Sequence, residues 1–213
     1  MLRDLVDTLL ATGIAQARPT GGRPPSRPPA PRRPQTRART RATSPAAPAR
    51  PTPPSSADAA IAEIERLGGR VSPIAQNDDR LEVSYRFAGA AVKDSALVPL
   101  RALRRVAILD LAQTGITDAG LVHLRGLTEL THLHLEQTQI GDRGLAHLRS
   151  LTNLTYLNLY GTNVTDAGLE HLRGLKQLRS LYVWRTKVTP AGAARLKEAL
   201  PQVEVVLGES VGG

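Results

Sequence analysis

The chain has 213 residues, 41% of them hydrophobic and 3% aromatic, with no cysteine and a formal net charge of +9. That length holds one ordinary domain plus additional chain. The missing thiols exclude disulfide frameworks and thiolate metal sites and suit a reducing, cytoplasmic compartment, while no apolar run approaches the ~18 residues of a membrane-spanning helix.

The charge is concentrated in one stretch. Residues 1–17 carry one Arg and two Asp, residues 18–57 carry nine Arg and no acid, and residues 58–213 carry 18 basic and 17 acidic side chains. The excess therefore describes residues 18–57 and says little about the folded part.

In residues 1–17, Leu2, Leu5, Val6, Leu9 and Leu10 fall at helical spacing and predict a short amphipathic helix. Ala15-Gln16-Ala17 also resembles a signal-peptidase site, which would place the protein in a secreted or envelope-associated setting. Asp7 interrupts the apolar region and Asp4 follows Arg3, a poor charge pattern for secretion.

Residues 18–56 form a Pro/Arg-rich linker. Twelve of the 16 prolines lie in residues 18–57, a composition that cannot bury enough apolar surface to offset chain entropy. A disordered, partly polyproline-II spacer is expected, equally suited to joining domains of a larger modular protein. Two functional readings compete with the spacer. The arginines from Arg18 to Arg50 can hold nucleic acid or an anionic membrane through counterion release. Pro28-Pro29-Ala30-Pro31-Arg32-Arg33 fits a PxxPxR ligand, a pattern that arises cheaply in such a stretch.

Residues 57–213 read as globular, divided into an N-terminal cap and degenerate repeat (57–102), four repeats (103–198) and a C-terminal cap (199–213). Ser56 can cap a helix to Leu67, with Ala60, Ile61, Ile64 and Leu67 on one face and Gly68-Gly69 as its stop. Leu81, Val83, Tyr85 and Phe87 then alternate as a strand does.

From Leu103 the sequence repeats every 24 residues. Leu103, Leu127, Leu151 and Leu175 are equivalent, as are Val106, Leu130, Leu154 and Leu178. The pair Leu109 and Leu111 recurs as Leu133 and Leu135, Leu157 and Leu159, then Leu181 and Val183. Thr114, Thr138, Thr162 and Thr186 make one further column and Gly120, Gly144, Gly168 and Gly192 another. The L-x-L pair has the period of a short strand. The stretch after Ile116 has helical spacing, with Thr117, Gly141, Thr165 and Thr189 as tolerated caps and Pro190 at the first helical position. Asp118, Asp142 and Asp166 open the helical turns and Arg125, Arg149, Arg173 and Lys197 close them, matching the helix dipole.

A strand and a short helix every 24 residues is the signature of a leucine-rich repeat. Residues Leu103 to Leu207 resemble that family. The Ile116–Leu127 stretch, ITDAGLVHLRGL, is similar to bacterial members and to the repeats of ribonuclease-inhibitor-like and F-box adaptor proteins. The resemblance implies an α/β, right-handed solenoid with a parallel concave sheet, short convex helices and protein binding on the concave face. The Thr column departs from the Asn or Cys of many members, but a threonine hydroxyl also bonds turn backbone. Shifting by one period places Tyr85 and Phe87 in the columns of Leu109 and Leu111, and Val205 and Leu207 in a last strand. A sheet of about six parallel strands with atypical ends is expected.

The concave residues are then Ser84, Arg86 and Ala88, followed by Ile108, Asp110 and Ala112. His132, His134 and Glu136 come next, then Tyr156, Asn158 and Tyr160, and last Ser180, Tyr182 and Trp184. With Tyr85 and Phe87 assigned to the cap core, the other four aromatics fall on this face in two adjacent repeats. Tyr160 should sit beside Trp184 and Asn158 beside Tyr182, about 4.8 Å away across the sheet. Tyr and Trp dominate interface hot spots, so Tyr156, Tyr160, Tyr182 and Trp184 are expected to bind a partner protein, with His132, His134, Glu136, Asn158 and Arg185 as polar contacts. The blander alternative is cross-strand stabilisation at ~0.2–1 kcal/mol per pair.

His132-x-His134-x-Glu136 also alternates as strand metal ligands do, but no fourth protein ligand is evident and no metal or cofactor is expected. The column of His123, His147 and His171 follows the repeat and reads as helix packing. No nucleophile–base set or phosphate-cradling glycine loop stands out, so no catalytic residues are assigned. The expectation is a non-enzymatic interaction module, with the Arg-rich segment as an electrostatic anchor the rival reading.

Overall fold

The computed structural model describes residues 56–208. The amphipathic or signal-like reading of residues 1–17, the Pro/Arg-rich segment up to residue 55, and residues 209–213 lie outside the described residues.

Helix α1 (Ser56–Arg66) buries Ala60 and Ile64, with Ile61 and Leu67 packed against the same core. It ends as Gly68 enters the left-handed region (φ +85°) and Gly69 N–H bonds to the Ile64 carbonyl at 2.9 Å. Strands β1 (Arg70–Ala75) and β2 (Asp78–Ser84) follow as an antiparallel hairpin across Gln76-Asn77. From β2 onward every pairing is parallel and in chain order, through β3 (Val106–Asp110), β4 (His132–His134), β5 (Tyr156–Asn158), β6 (Ser180–Tyr182) and β7 (Glu204–Val206). The six expected parallel strands are present. β1 is an additional edge strand that the sequence conceals, because Pro73 interrupts its pattern and an edge tolerates a missing N–H.

Leu109, Leu133, Leu157, Leu181 and Val205 lie opposite one another along the sheet. The 24-residue shift fails at the N-terminal cap. Val83 pairs with Leu109, and Tyr85 takes the place of Leu111, donating its N–H to the Asp110 carbonyl at 2.8 Å. Tyr85 is buried, its hydroxyl donating to the Ala96 carbonyl (2.7 Å), but Phe87 is 85% exposed and is no part of the core. Glu82, Ser84 and Arg86 therefore precede Ile108, Asp110 and Ala112 on the sheet face, and Ala88 drops out of the predicted set. Two extra residues in the turn after Tyr85, where Gly89 has φ +62°, absorb the offset. Asp94 then falls one 24-residue period before Asp118.

Opposite the sheet, the expected helices are shorter than the periodicity suggests. α2 (Asp142–Leu145) and α3 (Asp166–Leu169) are single turns continued as 3-10 helix, and the first repeat has only a 3-10 stretch, Gly120–Leu124. A 3-10 turn rises about 2.0 Å per residue against 1.5 Å in an α-helix, so it spans the repeat with fewer residues. Only the last, α4 (Pro190–Ala199), is a full helix.

Two polar columns tie the backbone down. The buried Thr114, Thr138 and Thr162 donate their hydroxyls to the carbonyls of Leu111, Leu135 and Leu159 at 2.6–2.7 Å, and Thr186 does the same to Val183. The aspartates do more than match the dipole, because each reaches into the next repeat. Asp142 accepts from Thr165 N–H and Oγ1 at 2.8 and 2.7 Å, and Asp166 from Thr189 N–H and Oγ1, both at 2.7 Å. Asp94 does the same to Thr117, and Asp118 accepts from Gly141 N–H. Thr165 and Thr189 in turn cap their helices through Ala167 and Gly192 N–H. The glycine column follows from these rungs: a Cβ at Gly120, Gly144, Gly168 or Gly192 would overlap the carboxylate of the preceding Asp.

Asp142→Ala removes a charged acceptor from two donors and should cost about 1.5–3 kcal/mol, lowering Tm by several degrees. Gly168→Ala should destabilise through the same carboxylate, measured by thermal denaturation. An Asp142→Ala chain melting with the parent would show that the rungs carry no stability.

Candidate functional site

Strands β4, β5 and β6 are only three residues long, and their outer residues flank one inward leucine. His132 and His134 flank Leu133, Tyr156 and Asn158 flank Leu157, and Ser180 and Tyr182 flank Leu181. Glu136, Tyr160 and Trp184 continue the same alternation beyond the strand ends, and Arg185 follows in the turn. The predicted neighbours meet, since Asn158 pairs with Tyr182 and the Tyr160 and Trp184 rings lie 5.2 Å apart.

The nine predicted residues fall into two contact groups. In the first, Tyr156 is central: its ring lies 5.6 Å from His132, 4.9 Å from His134 and 5.4 Å from Tyr182. In the second, the Arg185 guanidinium lies over both Tyr160 and Trp184, at 5.9 and 5.5 Å from the ring centroids. Its Nη1 donates to the Tyr160 hydroxyl at 3.1 Å. Trp184 remains 46% exposed.

Two of the polar residues are occupied within the sheet. Asn158 Oδ1 accepts from Tyr160 N–H at 3.0 Å and its amide nitrogen donates to the Tyr156 hydroxyl at 3.4 Å. Glu136, whose side chain is only 15% exposed, shares Oε1 with His134 Nδ1 at 3.1 Å, while its buried Oε2 has no hydrogen-bond partner. Asp110 belongs with this face although sequence reasoning gave it no role. It accepts from Ala112 N–H at 3.0 Å and stands 3.7 Å from the Arg86 guanidinium.

Sequence reasoning also missed the turn column beside these strands. Gln113, Gln137 and Arg185 have φ of 61°, 55° and 54°, and Gly161 occupies the same column at 68°. Gly161 at the shared 24-residue spacing was the available signal. On the helical side, Arg125 and Arg149 each donate to the Nδ1 of the next repeat's histidine, His147 and His171, at 2.6 Å. Among the described residues, no three His, Asp or Glu side chains converge as a metal-binding set.

The two strand histidines are pushed in opposite directions. The hydrogen bond to Glu136 raises His134 above its ordinary value, whereas burial, helped by the neighbouring His134, lowers His132. The His134–Glu136 contact therefore contributes stability below the ordinary histidine range and loses it as pH rises through the raised value. His132 has the opposite sign, losing stability as pH falls. In NMR titrations His134 should have its midpoint above 6.5 and His132 below it. Glu136→Gln should bring the His134 midpoint down, because burial and the Arg86 charge are then opposed by Asp110 alone. A single shared midpoint, unmoved by Glu136→Gln, would contradict this pairing.

Residues 127–148 and 150–172 match the family model described as a leucine-rich repeat. No curated protein matches the sequence. Among solved structures, internalin C2 of Listeria monocytogenes is similar at 23% identity and a TM-score of 0.40, over 54% of this chain and 59% of that one. A second Listeria monocytogenes internalin, inlF, is similar at 20% and 0.38, over 53% and 38%. A Leptospira interrogans leucine-rich-repeat protein gives 20% and 0.38, over 50% and 32%. This chain thus covers less than two thirds of each of those chains. The 24-residue period, the buried L-x-L pairs and the parallel sheet agree with that match, and the fold is a leucine-rich-repeat solenoid.

Proposed function

We propose that residues 56–208 form a non-enzymatic binding module that captures a partner protein on the open sheet face. The observation that carries this reading is where the rings are. Of six aromatic residues in the chain, four (Tyr156, Tyr160, Tyr182 and Trp184) lie on this face, on or just beyond two neighbouring strands. The scaffold has no need of them. Ile108, Asp110 and Ala112 hold the equivalent positions beside β4 with the same parallel pairing. Large rings with few rotatable bonds contribute much contact area at low ordering cost, and they concentrate in hot spots.

The test is to identify the partner by pull-down and mass spectrometry and then measure its affinity for the Tyr182→Ala and Trp184→Ala chains. Each should lose at least about 2 kcal/mol of binding, a thirtyfold loss. For the half-exposed Trp184, folding stability should change by no more than about 0.5 kcal/mol. Retained binding with a sharply lowered Tm would make the rings structural and overturn the reading. Removing residues 1–55 should leave capture intact. Loss of capture on that removal, together with steep salt dependence, would favour the arginine segment as an electrostatic anchor.

A further inference from the structure

Arg185 is a cation prepared for an anion it does not have. Arg80, Arg86, Arg105, Arg173 and Arg195 each pair with a carboxylate, whereas Arg185 makes no ion pair with any described carboxylate. Its guanidinium is nonetheless held in place, over the Tyr160 and Trp184 rings and with one N–H on the Tyr160 hydroxyl. Trp184 also lies close against Gly208, where a Cβ would overlap the indole. The backbone of Arg185 is left-handed, φ +54°, a conformation that disfavours a side chain and that Gly161 adopts one repeat earlier. A guanidinium has five N–H donors in a planar fork, and only one is engaged here. A fork oriented by stacking matches the two oxygens of a carboxylate.

We propose that Arg185, Tyr160 and Trp184 form the seat for a carboxylate of the partner protein, an Asp or Glu side chain on an acidic segment. Charge complementarity comes from the unneutralised guanidinium, and the exposed indole provides an apolar surface for the methylene groups behind the carboxylate. This rests on the reading of the open face as the partner-binding surface and assigns the chemistry of one contact on it.

Trp184 is the only tryptophan in the chain, so its fluorescence reports this seat directly. The full chain is titrated with three blocked pentapeptides, Ala-Leu-Xaa-Leu-Ala, in which Xaa is Glu, Gln or Lys. The Glu peptide should give a saturable change in the millimolar range, with the Gln and Lys peptides weaker by about tenfold or more. Arg185→Lys should weaken the Glu response, because an ammonium keeps the charge without the stacked fork. Arg185→Gly should abolish the preference while Tm stays level or rises, since glycine suits the left-handed backbone. Equal responses to the Glu and Lys peptides would overturn the carboxylate seat and leave the partner-binding reading standing. No saturable response to the Glu peptide up to ~10 mM would overturn it as well. A Glu preference surviving in Arg185→Gly would place the anion elsewhere. The partner-binding reading itself is decided by separate results, and capture of the whole partner surviving the loss of Tyr182 and Trp184 would overturn it.

Discussion

No repeat in this chain can bury its own leucines. Leu133 and Leu135, Leu157 and Leu159, and Leu181 and Val183 are all buried in one continuous core. Each set becomes a core only when the neighbouring repeats cover it. Fully burying one leucine is worth about 1.5–3 kcal/mol, so an uncovered terminal layer would be a large loss. The ends are closed accordingly: β2 of the N-terminal hairpin pairs with β3 of the first repeat while α1 packs into the same core, and β7 pairs with β6 of the last.

Stacking leucines sets the spacing of the repeats, and the polar columns add to its precision. On the sheet side, threonine hydroxyls close the turn after each L-x-L pair. On the helical side, an aspartate from one repeat holds the first N–H of the next. The glycine column is the consequence, since any larger residue would displace that carboxylate. With the inward and helical positions committed to these tasks, the outer strand positions are free to vary. They run from Ile108 and Asp110, through His132 and His134, to Tyr156 and Tyr182.

Much of this was legible because the period repeats in phase. Leucines, threonines and glycines at fixed offsets pointed to the parallel sheet, and the alternation between them placed Tyr160 beside Trp184. What stayed hidden lay where the period breaks or where contacts cross repeats. Two extra residues in the turn after Tyr85 moved Phe87 out of the core, and Pro73 masked β1. The aspartates read as helix-dipole residues because the donors they accept from lie 23 positions ahead, a distance no local pattern reveals. The left-handed turn at Arg185 was signalled only indirectly, by Gly161 in the same column one repeat earlier.

The central claim is that core and rungs hold the scaffold while the aromatic face is an addition it does not need. Native-state hydrogen exchange on a chain with Tyr156, Tyr160, Tyr182 and Trp184 all changed to Ser tests this directly. The amides of Leu111, Leu135 and Leu159 bond to the carbonyls of His134, Asn158 and Tyr182 on the following strands. If the claim holds, these amides keep the slow exchange of the parent, opening only with the whole domain. Fast exchange at Leu135 and Leu159 in that chain would show that the rings hold the sheet together and would contradict it.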